Sequence, residues 1–323
     1  MNKPKHFSLS PKNFTEEALR LFAFQYENNL VYQQFCKLLN KNPTNINELE
    51  AIPFLPIEFF KTHTILSDSS SIEAIFTSSG TTGDQTSKHH VTDLSIYENS
   101  YLKAFHQFYG DVEDYLVLGL LPSYLERNGS SLIYMVNHFI KKSKYAESGF
   151  FLDDFELLKN TIEKYDGKRN ILLIGVSFAL LDFSEQFQFQ LKSTIIMETG
   201  GMKGRRKEMI REELHEQLKS GFGVEHIHSE YGMTELLSQA YSKGNGIFNC
   251  PSSMKILIRN TDNPLEILQQ NQTGGINVID LANVNSIAFI ATQDLGKEIG
   301  NNQYQILGRF DHSDVRGCNL MVL

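Results

Sequence analysis

The sequence predicts an α/β fold built on a mostly parallel sheet, with a smaller β-rich segment toward its C-terminal side. Apolar runs of buried-strand length at 116–121, 170–176 and 193–198 alternate with helical segments. That order calls for parallel strands joined by covering helices. From Phe248 onward short strand-like pieces follow one another, divided by Asn263-Pro264 and Thr273-Gly274-Gly275. Finally, every residue from 77 to 83 is serine, threonine or glycine, directly after the strand-like Ala74-Ile75-Phe76.

Taken in order, 15–39 reads as one helix. Leu19, Phe22, Ala23, Tyr26, Leu30 and Val31 recur at helical spacing, and Glu16 and Glu17 suit a first turn. Asn42-Pro43-Thr44 ends it. Pro53 and Pro56 bracket an irregular piece, and 57–61 brings Phe59 and Phe60 to the core. A helix is expected over 94–109. The strand 116–121 stops at Pro122, and a polar loop, 123–131, leads into a helix at 132–141. A loop at the end of a buried parallel strand is where open α/β sheets bind ligands. After the strand 193–198 comes Thr199-Gly200-Gly201, then a charged helix over 204–220 and a strand at 224–228. The basic cluster Lys203, Arg205, Arg206 and Lys207 reads as solvent-facing beside glutamates. Strands 254–259, 275–280, 286–292 and 304–307 complete the pattern. They point to an antiparallel or barrel-like subdomain.

Composition narrows the function class. The 323 residues are 41% hydrophobic and 21% charged with a net charge of −8, so the overall field favours neither nucleic acid nor an anionic membrane surface. No apolar run approaches the roughly 20 residues needed to span a bilayer, and the N-terminal lysines are not followed by a secretory apolar segment. Cys36, Cys250 and Cys318 lie far apart, with neither metal-ligand spacing nor a disulfide framework. A reducing, cytoplasmic setting is expected.

The motifs that carry chemistry sit at strand ends. In the run Thr77, Ser78, Ser79, Gly80, Thr81, Thr82, Gly83, glycine permits positive φ, successive backbone N–H groups form an anion-binding concavity, and hydroxyls add donors. The physical reading is a phosphate-gripping loop; read alone, the run is also an ordinary polar turn. It is not a Walker A loop, because Lys88 stands between Ser87 and His89. Tyr231-Gly232-Met233-Thr234-Glu235 follows a strand. There the tyrosine can lie against an adenine, Thr234 can donate to a phosphate oxygen, and Glu235 can hold magnesium. Asp294, after a strand, can accept from ribose hydroxyls. Arg309, in Gly308-Arg309-Phe310-Asp311, offers a fork of donors to ribose or phosphate oxygens.

Together and in this order, these motifs resemble the phosphate loop, the adenine and magnesium motif, the ribose aspartate and the hinge of the adenylate-forming superfamily. That superfamily includes acyl-CoA synthetases, peptide-synthetase adenylation domains and firefly luciferase. Gly200 and Gly201 fall where the superfamily has its adenine-side glycine turn. Within it the chain is similar to the acyl-protein synthetases, the long-chain-fatty-acid–luciferin-component ligases of bacterial luminescence. The pointers are Phe24-Gln25-Tyr26 with Asn28, Asn29 and Tyr32, then Ile52-Pro53, Pro56 with Phe60-Lys61, and Ser130-Ser131-Leu132.

The resemblance implies a large N-terminal adenylate-forming domain over 1–307, layered α/β sheets with a β-rich subdomain at 248–307, and a hinge and short tail at 308–323. The mobile C-terminal domain with its lysine is then essentially absent. It implies ATP, AMP and Mg2+ as cofactors, with Thr77, Ser78, Ser79, Gly80, Thr81, Thr82, Gly83, Lys88, Gly200, Gly201, Tyr231, Gly232, Thr234, Asp294 and Arg309 binding the nucleotide. Glu235 serves as metal ligand and, with Thr234 and Cys318, in catalysis. Lys88 lies farther from the loop than most members place their lysine.

The expected reaction turns a carboxylic acid, in this family a fatty acid, into an acyl-adenylate and passes it to a protein thiol. Cys318 is the positional match for the acylated cysteine; equally, 319–323 reads as a packed final strand. Strand-end geometry places the acyl group near Ser123, Tyr124, Gly129, Ser130 and Gly175. Expected partners are the small-molecule acid and an acyl-reductase or acyl-transferase protein, with neither nucleic acid nor membrane. The alternatives are an AMP-forming acyl- or aryl-CoA ligase and a non-catalytic nucleotide-binding subunit of a reductase or biosynthetic complex.

Overall fold

A computed structural model describes residues 8–9, 12–78, 86–122, 129–200, 206 and 209–309. The chain divides into two compact units: residues 1–75, 80–94 and 252–323 form the first, and 76–79 with 95–251 the second.

The first unit opens with α1 (Phe14–Asn28), capped by Asn13, whose side chain accepts from the Glu16 N–H. Where apolar spacing predicts one helix over 15–39, there are two, because Asn29 is extended (φ −109°) and caps α2 (Leu30–Leu38) by accepting from the Tyr32 N–H. Asn29 leaves the helix for a tertiary reason: its amide donates to the Ser286 carbonyl at 3.2 Å. Gln25 is held likewise, donating to the Asn283 and Val284 carbonyls and accepting from the Ala288 N–H. Tyr32 donates to the Pro53 carbonyl at 2.6 Å. Buried polar groups are stable only when paired in this way, so Gln25, Asn29 and Tyr32 are anchors of the fold.

After β1 (Leu55–Pro56) and α3 (Phe59–Thr62), Phe60 is fully buried whereas Phe59 is half-buried and stacks on His63. The chain leaves the unit within β2 (Ala74–Thr77) and returns to it for β3 (Lys88–Val91).

The second unit holds α4 (Leu94–Tyr109), β4 (Tyr115–Leu120), α5 (Ser131–Lys142), β5 (Gly149–Phe150), α6 (Phe155–Tyr165), β6 (Asn170–Val176), α7 (Ser177–Gln186), β7 (Thr194–Thr199), α8 (Arg211–Phe222), β8 (His228–Tyr231), β9 (Ala240–Ser242) and β10 (Ile247–Asn249). Strands β5, β4, β6, β7 and β8 are parallel in that order, and β9 and β10 continue antiparallel. Every residue of β4 is buried, which explains its unbroken apolar reading.

Two boundaries differ from expectation. Residues 224–227 precede β8 rather than forming part of it, and α8 begins at Arg211 rather than near 204. Arg206 is not loose in solvent. Its guanidinium forks onto Asp182 and Glu185 of α7, an arrangement that charge clustering along the sequence does not reveal.

Back in the first unit, β11 (Met254–Arg259), β12 (Thr273–Asp280), β13 (Phe289–Gly300) and β14 (Gln303–Arg309) form an antiparallel meander, and β1 runs parallel to β13. Buried Arg259 donates to the Ile276 and Thr292 carbonyls at 2.6 Å each, and a Cβ on Gly275 would lie 2.5 Å from its Cζ. Many of the phenylalanines serve as core: Phe22, Phe60, Phe105, Phe139, Phe183, Phe222 and Phe248 are fully buried. Among the described residues no helix is long and apolar enough to cross a membrane.

Candidate functional site

In the second unit, the C-terminal ends of β6, β7 and β8 are level, because Val176 pairs with Thr199 and Thr199 with Glu230. One row deeper, Gly175, Glu198 and Ser229 align. Register therefore brings the Thr199-Gly200 turn and the Tyr231–Glu235 segment to one sheet edge, the edge where parallel sheets bind ligands.

The edge is dense in polar groups. Ser177 donates from Oγ to the Gly200 carbonyl at 2.8 Å, and Gly200 takes φ +70°, a conformation that costs glycine little. Thr199 donates from Oγ1 to Glu230 Oε2 at 2.5 Å. Glu198 Oε1 lies 3.6 Å from Arg211 Nε and 3.5 Å from His215 Nε2. Burial works to raise the Glu198 carboxyl, but the His215 hydrogen bond, the Arg211 charge and Ser229 outweigh it and hold the group below the usual carboxylate range. Glu230 meets the opposite balance: burial, reinforced by the Glu198 charge and opposed by Thr199, pushes it up to about 7. Neighbouring carboxylates with pKa values driven apart are a recurrent feature of functional sites.

Tyr231 is buried, its ring tilted at 70° to Phe248 with centroids 6.2 Å apart. Gly232 has no room for a side chain, since a Cβ would sit 2.5 Å from Glu230 Oε1 and 3.1 Å from Gln239 Cγ. Thr234 and Glu235 occupy a turn closed by the Leu236 N–H donating to the Met233 carbonyl, with Thr234 half-buried and Glu235 buried. A single carboxylate suits magnesium, which takes most of its shell from phosphate oxygens and water. Among the described residues no group of three or more His, Cys, Asp or Glu side chains forms a protein metal cage.

The remaining candidates fall in several places. Thr77 and Ser78 lie in the second unit, where the Thr77 N–H donates to the Gly129 carbonyl at 2.8 Å. That bond joins the start of the phosphate-loop candidate to the candidate acyl loop. Ser130 caps α5, its Oγ accepting from the Ile133 N–H. The space beside Gly175 is filled by Leu180 and Leu120, so packing requires the glycine there. In the first unit, exposed Lys88 opens β3 between buried Ser87 and His89. Asp294 does not close a strand as expected: β13 continues past it to Gly300, with a bulge after Leu295. It pairs across the ladder with Arg309 of β14, Nε to Oδ1 3.8 Å. Ser79, Gly80, Thr81, Thr82, Gly83, Ser123, Tyr124, Gly201 and Cys318 lie outside the described residues.

Sequence reasoning missed Ser177, Glu198, Glu230, Arg211 and His215. The available signal is a carboxylate near the end of each of two buried strands, in Met197-Glu198-Thr199 and Ser229-Glu230-Tyr231, because ionisable groups there are rare without a partner or a task.

Comparison with known proteins bears out the resemblance read from the motifs. Residues 4–100 match the family model described as Acyl-protein synthetase, LuxE. The long-chain-fatty-acid–luciferin-component ligase of Vibrio harveyi is 36% identical over 86 residues, 26% of this chain and 22% of that protein. ATP-bound MatB from Rhodopseudomonas palustris superposes with a TM-score of 0.55 at 16% identity, over 75% of this chain and 49% of that one. O-succinylbenzoate coenzyme A synthetase (MenE) of Bacillus subtilis, in complex with AMP, gives 0.52 at 18% identity, over 76% and 51%. 2-Hydroxyisobutyryl-CoA ligase in its postadenylation state with 2-HIB-AMP gives 0.65 at 11% identity, over 94% and 70%. At these identities the structural likeness establishes the fold, which is the large-domain fold of these ligases. The matched stretch is under a quarter of the length of the curated relative, and the chain covers about half of MatB.

Proposed function

We propose, from a chain that has the adenylate-forming fold and an acyl-protein synthetase match over residues 4–100, that it activates a carboxylic acid with ATP. A carboxylate oxygen attacks the α-phosphorus, the bond to the β-phosphate oxygen breaks, and pyrophosphate leaves. The product is an acyl-adenylate. A thiolate then attacks the acyl carbonyl and AMP departs. The carboxylate is already ionised at neutral pH, so no general base is required for the first step. Catalysis is then chiefly positioning and charge stabilisation.

The single observation that carries this reading is the shared edge of β7 and β8, where the glycine turn at Gly200 and the Tyr231–Glu235 segment are brought level by strand register. Tyr231 and Gly232 would border the adenine and Thr234 the phosphates. Glu235 would hold the magnesium that neutralises leaving pyrophosphate. The run 77–83 would grip phosphates with Lys88, and Asp294 and Arg309 would take the ribose side. Residues 308–323 would serve as hinge and tail.

The finer reading is that the acid is fatty, that it enters by Gly129 and Ser130 rather than at Gly175, where Leu180 and Leu120 fill the space, and that the acceptor is a protein cysteine, Cys318. An acyl-reductase or acyl-transferase would then consume the thioester. ATP–pyrophosphate exchange with a panel of straight-chain and aromatic acids tests the proposal. Acid-dependent exchange is the expected result, with thioester on the protein rather than on added coenzyme A. Absence of exchange with every acid would overturn it.

A further inference from the structure

The two strand ends assigned to the nucleotide are tied together by a residue outside the motif itself. One oxygen of the Glu230 carboxyl, Oε2, accepts from the Thr199 hydroxyl at 2.5 Å. The other, Oε1, fills the space beside Gly232, where a Cβ would lie 2.5 Å from it. One carboxyl thus contacts the last residue of β7 and the turn that follows β8. From the opposite neighbour, Ser177 holds the Gly200 carbonyl. The Thr199-Gly200 turn is therefore fastened from both sides, by Ser177 at the start of α7 and by Glu230 of β8.

We propose that Glu230 is a positioning residue for the nucleotide: its carboxyl sets the Tyr231-Gly232 turn against Thr199-Gly200 and so aims Tyr231, Thr234 and Glu235. This rests on the reading of those turns as the nucleotide site. The charges around Glu230 add a dependence on pH. Among the described residues, Glu198 of β7 and Tyr241 of β9, its register partner, are the titratable groups facing it. Among the described residues, Arg211 and His215 face Glu198 and no cation pairs with Glu230. Loss of the Glu230 proton places a second buried negative charge beside Glu198. Among the described residues no cation offsets it, and its repulsion from Glu198 works against the seating of one strand end on the other.

The test is calorimetric AMP binding to the full chain from about pH 6 to about pH 8.5, spanning the Glu230 titration near 7. Parent, Glu230→Gln, Glu230→Ala and Thr199→Val are compared, with circular dichroism confirming the fold of each. The parent is expected to weaken as pH rises through neutrality. Glu230→Gln, which keeps the shape and an acceptor for Thr199, is expected to bind within about threefold of the parent at the acid end and to lack the alkaline loss. AMP's own phosphate titrates near pH 6 in both proteins, so the difference between them isolates Glu230.

Glu230→Ala and Thr199→Val are each expected to bind about tenfold more weakly at the acid end, the scale of one buried hydrogen bond. Should Glu230→Ala fail to fold, Thr199→Val carries the same comparison. Parental affinity in the folded alanine and valine variants, or identical pH profiles for parent and Glu230→Gln, would overturn the positioning role alone. A parent that takes up no AMP would overturn the nucleotide reading and this role with it.

Discussion

Asp294 and Arg309 stand opposite each other on β13 and β14, with Arg309 Nε 3.8 Å from Asp294 Oδ1. The Asp294 side chain is 13% exposed and that of Arg309 82%. An ion pair with one partner this exposed adds little stability. The carboxylate, held in place by the strand, is the group suited to bind a ligand. Replacing Asp294 with alanine is expected to leave the thermal midpoint nearly unchanged and to weaken AMP binding by about 2 kcal/mol, the cost of losing hydrogen bonds to a charged acceptor. Calorimetry decides it, and undiminished affinity would remove Asp294 from the ribose site.

Glu235 lies buried in the turn after β8. Glu235→Gln preserves its shape and removes its charge. The variant is expected to fold like the parent and to lose about two to three orders of magnitude in pyrophosphate exchange, as when one preorganised electrostatic group is removed from a reaction centre. Excess magnesium should restore part of the loss if the residue holds the ion. Exchange at the parental rate would take Glu235 out of the metal role.

Cys36 and Cys250 differ in environment from what a thioester acceptor needs. Cys36 is buried against Tyr32, and burial pushes its thiol up to about 12, so it is a thiol at neutral pH. Cys250 is half-buried beside Pro251. Cys318 lies outside the described residues, and its case rests on position in the sequence. Incubation with ATP, magnesium and labelled fatty acid, followed by intact-mass measurement, is expected to give a hydroxylamine-sensitive adduct on the parent and none on Cys318→Ser. An adduct that survives the substitution assigns the acceptor elsewhere.

The Glu230 carboxyl also leaves a mark on stability. Its folded pKa of about 7 lies above the ordinary 4.5, so the folded state holds a proton that the unfolded state releases. Its contribution is therefore full below the ordinary value and is lost as pH climbs to 7. Relative to Glu230→Gln, the parent should lose about 2 kcal/mol of unfolding free energy between about pH 5 and about pH 7.5, read by urea denaturation. A difference between the two proteins that does not change with pH would show that Glu230 ionises normally.

Much of the fold was legible in residues close together in the chain. Strands at 170–176 and 254–259 and the helix at 94–109 follow from apolar runs and periodicity, which report local burial. Boundaries that failed did so where a distant partner intervened. The α1–α2 break at Asn29 answers to Ser286, 257 positions away. The continuation of β13 through Asp294 answers to pairing with β14, which extends a strand beyond its apolar part.

The site divides along the same line. By itself the sequence determined which turns carry glycine, hydroxyl and acid residues, because turn chemistry and positive φ are properties of a few adjacent residues. Only the tertiary structure decided that Thr199 meets Glu230 and that Arg211 and His215 turn to Glu198. Parallel neighbours are joined through long crossovers, so their register is set by packing of the whole sheet rather than by any local pattern. A buried carboxyl's charge likewise depends on groups that the fold, not the chain order, places around it.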